Sequence, residues 1–166
     1  MTDFLSCAEY EKMASALALP AKVFIGGRFC DAKSGKTMEN TNPATGKPLG
    51  SVPSCGKEDV DAAVAAAKKT FESGVWSRMH PTERKKIFLR FVGLMEKHMV
   101  ELALLETLDS GKPIRECLVT DLPETLECLE WHAELADKEY GAISPSGDNA
   151  LGLIVKEPVG VVACVL

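Results

Sequence analysis

Short extended segments separated by turn residues occupy the part of the chain between residues 20 and 55. They form two pairs, residues 23–25 with 28–30 and residues 37–41 with 48–52. The first pair flanks Gly26-Gly27, and the second flanks the turn sequence of residues 42–46, which begins with Asn-Pro and ends with glycine. Glycine reaches positive φ without strain, and connections of this kind join antiparallel strands. The pattern therefore predicts two hairpins made of short edge strands.

Helical periodicity replaces this pattern from Lys57 onward. Apolar side chains then recur at intervals of three and four residues, at Val60, Val64, Ala67 and Phe71. Acidic residues in the first turn suit the dipole of a helix, and Gly74 supplies a stop signal. We therefore predict a first helix from Lys57 to about Ser73.

Two further helical stretches follow. Pro81 fits the first turn of a helix, and an apolar stripe continues from it to Gly111, with a break near His98. The last stretch covers residues 113–141 and contains Pro123. A proline inside a helix costs about 3 kcal/mol, so this stretch is expected to form two helices.

Extended segments return near the end of the chain. Leu151 to Lys156 is predicted as a strand, and the valine-rich segment Val159 to Leu166 as a buried strand. Strands, then helices, then a valine-rich strand indicate the α/β fold class. The sequence stops inside its most strand-like segment, where an open edge and two apolar faces would be exposed, so we expect the chain to be truncated.

Composition and charge exclude several classes of protein. The chain has 166 residues, 19 Lys and Arg against 24 Asp and Glu, a net charge of −5, and 46% hydrophobic residues. These values favour a folded core over a disordered chain, and they argue against nucleic-acid binding through bulk positive charge. No apolar run approaches the roughly 18–20 residues that cross a bilayer, and the N-terminus lacks a secretory signal pattern. We expect a cytoplasmic protein that binds neither nucleic acid nor membrane.

Side chains with catalytic potential are scattered along the chain. The six cysteines are Cys7, Cys30, Cys55, Cys117, Cys128 and Cys164. They are far apart and form no C-x-x-C, so reduced thiols are expected. His80, His98 and His132 lack metal-ligand spacing and are expected at helix surfaces or caps, whereas Trp76 and Trp131 are expected to anchor the core. The sequence contains no G-x-S-x-G, H-E-x-x-H, P-loop or G-x-G-x-x-G motif.

Three short phrases are more specific than these single residues. They are Thr-Asn-Pro-Ala-Thr-Gly at 41–46, Glu-Thr-Leu-Asp-Ser-Gly-Lys-Pro at 106–113 and Glu-Pro-Val-Gly-Val-Val at 157–162. In this order and spacing they resemble the N-terminal third of the aldehyde dehydrogenase superfamily, and the similarity extends from about Phe24 to Leu166. Residues 102–115 look most like the bacterial γ-glutamyl-γ-aminobutyraldehyde dehydrogenase type.

The resemblance implies an NAD- or NADP-dependent oxidation of a small aldehyde to a carboxylate, through a thiohemiacetal on a cysteine. The family's nucleophilic cysteine, its glutamate base, its oxyanion-binding asparagine and its cofactor-binding lysine all lie past the position of Leu166. No catalytic residue is therefore assigned in this sequence, and the chain alone is expected to be inactive. The family's nucleotide fold does not use the glycine-rich fingerprint at this strand, so the missing G-x-G-x-x-G does not argue against NAD.

The resemblance assigns only a few binding residues to this part of the sequence. Val165 and Leu166 match the end of the first strand of the nucleotide fold, whose backbone borders the cofactor. Asp109, together with the backbone of Asn40 and Thr41, matches a monovalent-cation site, where oxygen ligands suit a hard ion. The alternative is that Asp109 caps the chain at the glycine that ends its helix.

The resemblance also implies a division of the chain and an assembly. An N-terminal extension (1–20) precedes the strands and helices of the NAD(P)-binding domain (21–142), a bridging strand that joins subunits (143–157) and the first strand of a Rossmann-like sheet (158–166). A homo-oligomer that assembles through residues 143–157 is expected. The alternative is a non-enzymatic truncated relative that pairs with other subunits through Leu151 to Val155, by adding a strand to a partner's sheet.

Overall fold

The computed structural model describes residues 4–165 of the chain. Its elements are α1 (Cys7–Ala16), β1 (Val23–Ile25), β2 (Arg28–Cys30), β3 (Thr37–Thr41), β4 (Pro48–Pro53), α2 (Lys57–Ser73), α3 (Pro81–Lys97), α4 (Met99–Ser110), α5 (Ile114–Glu116), α6 (Leu122–Leu135), β5 (Ala142–Ser144) and β6 (Gly152–Ile154). A π-helical segment, Cys117–Asp121, joins α5 to α6. The strands form three separate antiparallel pairs, β1 with β2, β3 with β4 and β5 with β6.

The first predicted hairpin is confirmed. Val23 pairs with Cys30 across the ladder of β1 and β2. Gly26 and Gly27 between the strands have φ angles of 59° and 84°, in the left-handed region that a two-residue hairpin turn requires.

The second predicted hairpin is also confirmed, and its turn is built around the buried Asn42. The side-chain oxygen of Asn42 accepts hydrogen bonds from the backbone N–H groups of Ala44 at 2.9 Å and Thr45 at 3.3 Å. An asparagine that binds its own turn in this way is a common turn initiator. The register of β3 and β4 shifts between Asn40 and Thr41, immediately before the turn.

The buried carboxylate of Asp59 fixes the start of α2 to the loop that follows the first hairpin. Its Oδ2 accepts a hydrogen bond from the Gly56 N–H at 2.9 Å, and its Oδ1 accepts one from the Lys33 N–H at 2.8 Å. The Gly56 and Lys33 donors lower the pKa of the Asp59 carboxyl, although burial opposes them. The helix then extends to Ser73 and ends at Gly74 in the left-handed conformation, as the sequence predicts.

The long apolar stripe forms two helices, as predicted. Pro81 opens α3, and Nδ1 of His80 caps it by accepting a hydrogen bond from the Thr82 N–H at 3.3 Å. His98 separates α3 from α4, and Gly111 ends α4 with a φ of 77°. The start at Pro81, the break at His98 and the end at Gly111 are therefore as the sequence predicts.

The expected break at Pro123 takes a different form. The chain stays helical from Ile114 to Leu135, and the π-helical segment precedes Pro123, which lies in the first turn of α6. The Leu122 N–H bonds to the Cys117 carbonyl, five residues back. A proline has no N–H to donate inside a regular α-helix. In the π turn before Pro123 the backbone hydrogen bonds span five residues instead of four, and a new α-helix begins at Leu122. The helix also ends at Leu135, earlier than Gly141.

The C-terminal segment differs most from the expectation. Residues 159–165 form no strand, and Val159 and Val165 are each 93% exposed. A buried strand needs neighbouring strands for its N–H and C=O groups and a layer against each face. No strand within residues 4–165 pairs with this segment, so the expected buried strand is not formed here. Leu166 lies outside the described residues.

Two elements were not expected from the sequence. Strand β5 pairs with β6, and Ala142 lies opposite Ile154. Strand β5 has only three residues, too few to show an alternating pattern in the sequence. Helix α1 lies within the N-terminal extension, and Ser6 and Glu9 form a capping box at its start. The Ser-x-x-Glu spacing of a capping box was the available sequence signal for α1.

Helices α4, α5 and α6 supply the apolar centre of the molecule. Ala103, Cys117 and Leu122 are buried there, and they pack with Met99, Leu102, Ile114 and Leu118. Trp131, expected in the core, instead lies on the surface of α6 with 60% exposure. No helix within residues 4–165 has the length and apolarity that crossing a membrane requires.

An ion-pair network joins α3 to the end of α6. Lys85 Nζ lies 2.7 Å from Glu134 Oε2 and 3.5 Å from Asp137 Oδ2. The hydrogen bond to Glu134 raises the pKa of Lys85. Lys138 and Lys85 in turn lower the pKa of Glu134. These ion pairs connect α3 to the C-terminal end of α6.

Replacing Asp59 by asparagine tests its role at the start of α2. In Asp59→Asn the amide NH2 group faces the N–H of either Lys33 or Gly56, so one of the two hydrogen bonds is lost. The free energy of unfolding at pH 7 is therefore expected to fall, and the Tm to drop by a few degrees. The ordinary pKa of this carboxyl is 3.8 and its folded pKa is lower, so its contribution is complete above pH 3.8. The contribution disappears as the pH falls through the folded pKa, and the difference between the two proteins should shrink with it.

Urea unfolding followed by circular dichroism at several pH values measures this difference. Asp61→Asn is the matched control, because Asp61 is exposed on the same helix and forms an ion pair with the exposed Lys57. Equal midpoints for the Asp59→Asn chain and the unaltered chain at pH 7 would contradict the role given to Asp59.

Candidate functional site

Two of the three sequence phrases meet at the end of α4. A Cβ atom on Gly111 would lie 3.0 Å from Cγ of Pro43 and 3.5 Å from the backbone nitrogen of Ala44. A side chain at position 111 would therefore crowd Pro43, and the φ of 77° also favours glycine where this helix end approaches the turn of the second hairpin. Lys112, in the same phrase as Gly111, donates a hydrogen bond from Nζ to Asp121 Oδ2 of the π-helical segment at 2.6 Å. This hydrogen bond raises the pKa of Lys112.

The predicted cation-site residues lie beside this junction. Asn40 Nδ2 donates a hydrogen bond to Asp109 Oδ1 at 2.7 Å and so joins β3 to α4. Thr41 is adjacent, where the ladder changes register. A register shift leaves a residue outside regular pairing, and carboxylate and carbonyl oxygens suit a hard ion, so the residues present fit a monovalent cation. Ligation by the backbone of Asn40 and Thr41 stays a prediction.

A cavity of about 420 Å³ opens next to the Asn40–Asp109 contact. Its wall is mostly apolar and comes from Leu19 and Pro20, from β4 and from α4. Asn40, Glu106 and Asp109 supply its polar atoms. The capping alternative would require a hydrogen bond between the Asp109 carboxylate and the turn at the end of α4. Within residues 4–165 this carboxylate instead accepts a hydrogen bond from Asn40.

The residues expected to border the cofactor are not part of this junction. Val165 is exposed in the segment without strand structure, and Leu166 lies outside the described residues. Upstream, residues 160–162 line an open groove of about 750 Å³ against the first hairpin and α2. The third phrase thus lines a groove with the first hairpin and α2, apart from the contacts that join the first two phrases. The cofactor roles of Val165 and Leu166 stay predictions.

The six cysteines are free thiols in different surroundings. Cys117 is buried, whereas Cys128 is exposed and its Sγ lies 3.6 Å from Nδ1 of His132. The four-residue spacing on α6 is a signal for this pair that the sequence reasoning missed. In the part of the chain that the structure describes, no three His, Cys, Asp or Glu side chains are grouped to hold a metal ion.

An apolar surface covers the third hairpin. The exposed fractions of Ile143, Leu151, Leu153 and Val155 are 70%, 71%, 63% and 68%. These residues belong to the segment 143–157 for which the sequence predicts contacts between subunits. A contiguous apolar surface of this kind is typical of an interface.

Comparisons with known proteins give one consistent result. The sequence pattern of the aldehyde dehydrogenase family matches residues 29–166. The aminoacetaldehyde dehydrogenase of Pseudomonas aeruginosa is 53% identical over all 166 residues, which cover 34% of that protein. The NADP/NAD-dependent aldehyde dehydrogenase PuuC of Escherichia coli is 40% identical over 164 residues, which are 99% of this chain and 33% of that protein.

Solved structures agree with the sequence comparisons. The aldehyde dehydrogenase KauB from Pseudomonas aeruginosa superposes with a TM-score of 0.92 and 39% identity, over 95% of this chain and 32% of that chain. The indole-3-acetaldehyde dehydrogenase AldA of P. syringae, in complex with NAD+ and IAA, gives a TM-score of 0.91 at 41% identity, with the same shares of 95% and 32%. The chain spans about a third of the length of the curated relatives that it matches.

The predicted cation site can be tested through stability. A cation that binds the folded chain stabilises it by mass action, so sodium or potassium chloride should raise its Tm by a few degrees over choline chloride at equal ionic strength. Asp109→Asn should abolish this difference, whereas Glu106→Gln, in the same cavity, should keep it. Thermal unfolding of the three proteins in each salt measures the effect. An unaltered chain with the same Tm in all salts would contradict the site.

Proposed function

Since this chain belongs to the aldehyde dehydrogenase family, we propose that it forms the N-terminal part of an NAD(P)+-dependent enzyme that oxidises an aldehyde to a carboxylate. The observation that supports this most directly is the family match over residues 29–166. The 53% identity to an aminoacetaldehyde dehydrogenase supports a small aldehyde as the substrate of the whole protein. The cofactor, when bound, accepts the hydride from the substrate.

The residues of this chain build the frame around the reacting groups rather than performing the reaction. The junction of Gly111 with the turn at Pro43 fixes α4 to the second hairpin, and Asp59 fixes α2 to the first. Residues 158–166 then become the first strand of the Rossmann-like sheet when further strands pair with them. In that position the backbone of Val165 and Leu166 borders the cofactor.

Assembly into a homo-oligomer occurs through residues 143–157. The exposed apolar side chains of β5, β6 and their flanks support this, because burying them releases surface from water. A cytoplasmic location is part of the proposal, and the free thiols of the cysteines support it, because disulfides are rare in that compartment.

The second candidate function is a non-enzymatic interaction module. The same exposed hairpin supports it, since Leu151 to Val155 can add to the edge of a partner's sheet. The coding sequence after Leu166 distinguishes the two candidates. The enzyme requires a continuation beginning Pro-Trp-Asn with a cysteine farther on, whereas a stop codon directly after Leu166 would favour the module.

Alone, the 166 residues are expected to be catalytically silent. The proposed reaction needs a cysteine nucleophile, a base and an oxyanion donor in one place, and the family places these groups past Leu166. Incubating the purified chain with NAD+ or NADP+ and aminoacetaldehyde, while following absorbance of the reduced cofactor, should give no turnover.

A full-length relative such as the Pseudomonas aeruginosa enzyme serves as the positive control for the assay. Reduced cofactor formed by the chain, and lost after alkylation of its cysteines, would contradict the proposal that the chemistry lies outside these residues.

A further inference from the structure

A cavity of about 500 Å³ opens between the N-terminal helix and the helices of the core. Its wall is almost wholly apolar, and it includes Phe4, Leu5 and Ala14 on one side and Leu104, Leu108 and Ile114 on the other. Sites for small molecules typically have volumes of roughly 300–1,000 Å³ and mostly apolar walls. The cavity therefore has the size and the lining of a site for a small molecule with an apolar body.

Helix α1 forms the outer wall of this cavity. It packs against α4, but none of its residues is buried. Phe4 and Leu5, directly before the helix, are each 41% exposed. An apolar chain between α1 and α4 would remove this surface from water, and such burial is favourable.

Arg115 places a positive charge at the wall of the cavity. Its guanidinium carbon lies 5.8 Å from the centre of the Phe4 ring, in a cation–π contact. Within residues 4–165 no carboxylate forms an ion pair with Arg115. A guanidinium binds a carboxylate through two parallel hydrogen bonds, so the charge of Arg115 is complementary to a ligand that carries this group.

Glu11 is the acidic residue of the same wall. Its Oε1 accepts a hydrogen bond from the Cys7 thiol at 3.5 Å, and Glu11 raises the pKa of Cys7 through this bond and through its charge. The thiol thus stays neutral at pH 7 and adds no second negative charge. Glu11 acts on a carboxylate only through its charge, which salt and water screen at an exposed residue, whereas Arg115 binds a carboxylate directly. One carboxylate beside Arg115 is therefore favoured, and a second one on the ligand is disfavoured.

We propose that this cavity binds a medium-chain monocarboxylic acid, with the carboxylate on Arg115 and the alkyl chain between α1 and α4. The ligand contacts both helices, so its binding strengthens the attachment of α1 to the core. The proposal does not depend on the proposed enzymatic function, because binding needs neither cofactor nor turnover.

Titration of the chain with octanoate at pH 7, followed through the methyl signals of leucine and isoleucine in NMR spectra, tests the proposal. Saturable shifts are expected at Leu104, Leu108 and Ile114. The exposed Leu153 of the third hairpin serves as the control for general binding to apolar surface and should show none. Octanol has a similar chain without the carboxylate and should bind about tenfold more weakly, because it loses a hydrogen bond between charged groups.

Four variants separate the charge from the apolar wall. Arg115→Met should weaken octanoate binding about tenfold and leave octanol binding unchanged, because it removes the charge and keeps an apolar side chain. Glu11→Gln should tighten the binding of octanoate alone. Ala14→Leu fills part of the cavity and should weaken both ligands. Ala8→Leu, on the same helix but outside the cavity wall, should weaken neither.

Circular dichroism verifies that each variant keeps its helices. Octanol or octylamine binding as tightly as octanoate, or unchanged octanoate binding by the folded Arg115→Met chain, would overturn the proposal. The absence of saturable shifts with octanoate would also overturn it. Methyl shifts that follow the concentration of the chain instead of that of octanoate would place a second copy of the chain in the cavity, and they too would contradict the proposal.

Discussion

Each strand among residues 4–165 pairs with a single neighbour, and this constraint governs the rest of the structure. An isolated two-stranded hairpin is marginally stable in water, so the hairpins depend on what they pack against. The apolar centre accordingly lies between helices, around Ala103, Cys117 and Leu122. The same constraint explains the exposed C-terminal segment, because residues 159–165 have no strand to pair with there.

Polar contacts attach the first two hairpins to the helices. Asp59 binds the loop after the first hairpin through the Lys33 N–H, and Asn40 of the second hairpin binds Asp109 of α4. Gly111 completes the second attachment by letting the chain approach Pro43 closely. Two family phrases therefore have a structural role: they position a hairpin on a helix. The third phrase lies in the part of the molecule whose sheet is not formed.

The parts of the fold that could be predicted from sequence are those set by local signals such as turns and helix ends. The turns at Gly26-Gly27 and Asn42, the stop at Gly74 and the break at His98 were correct, because each depends on neighbouring residues alone. The family was also correct, since three phrases in register are specific. Periodicity does not show the π turn before Pro123, because the chain stays helical through it, and it does not show β5, because three residues are too few to alternate. It also missed the exposure of Trp131. The strand at 159–165 failed for a different reason: its apolar pattern is real, but no strand within residues 4–165 pairs with it.

Hydrogen exchange of the dilute, monomeric chain tests most directly the claim that the helices fold without a completed sheet. Slow exchange is expected for the amides of α4 and α6, because both helices contribute buried residues to the core. Exchange close to that of an unfolded peptide is expected for residues 159–165, where no ladder protects the backbone. Protection of residues 159–165 equal to that of α4, or fast exchange throughout the helices, would contradict the account.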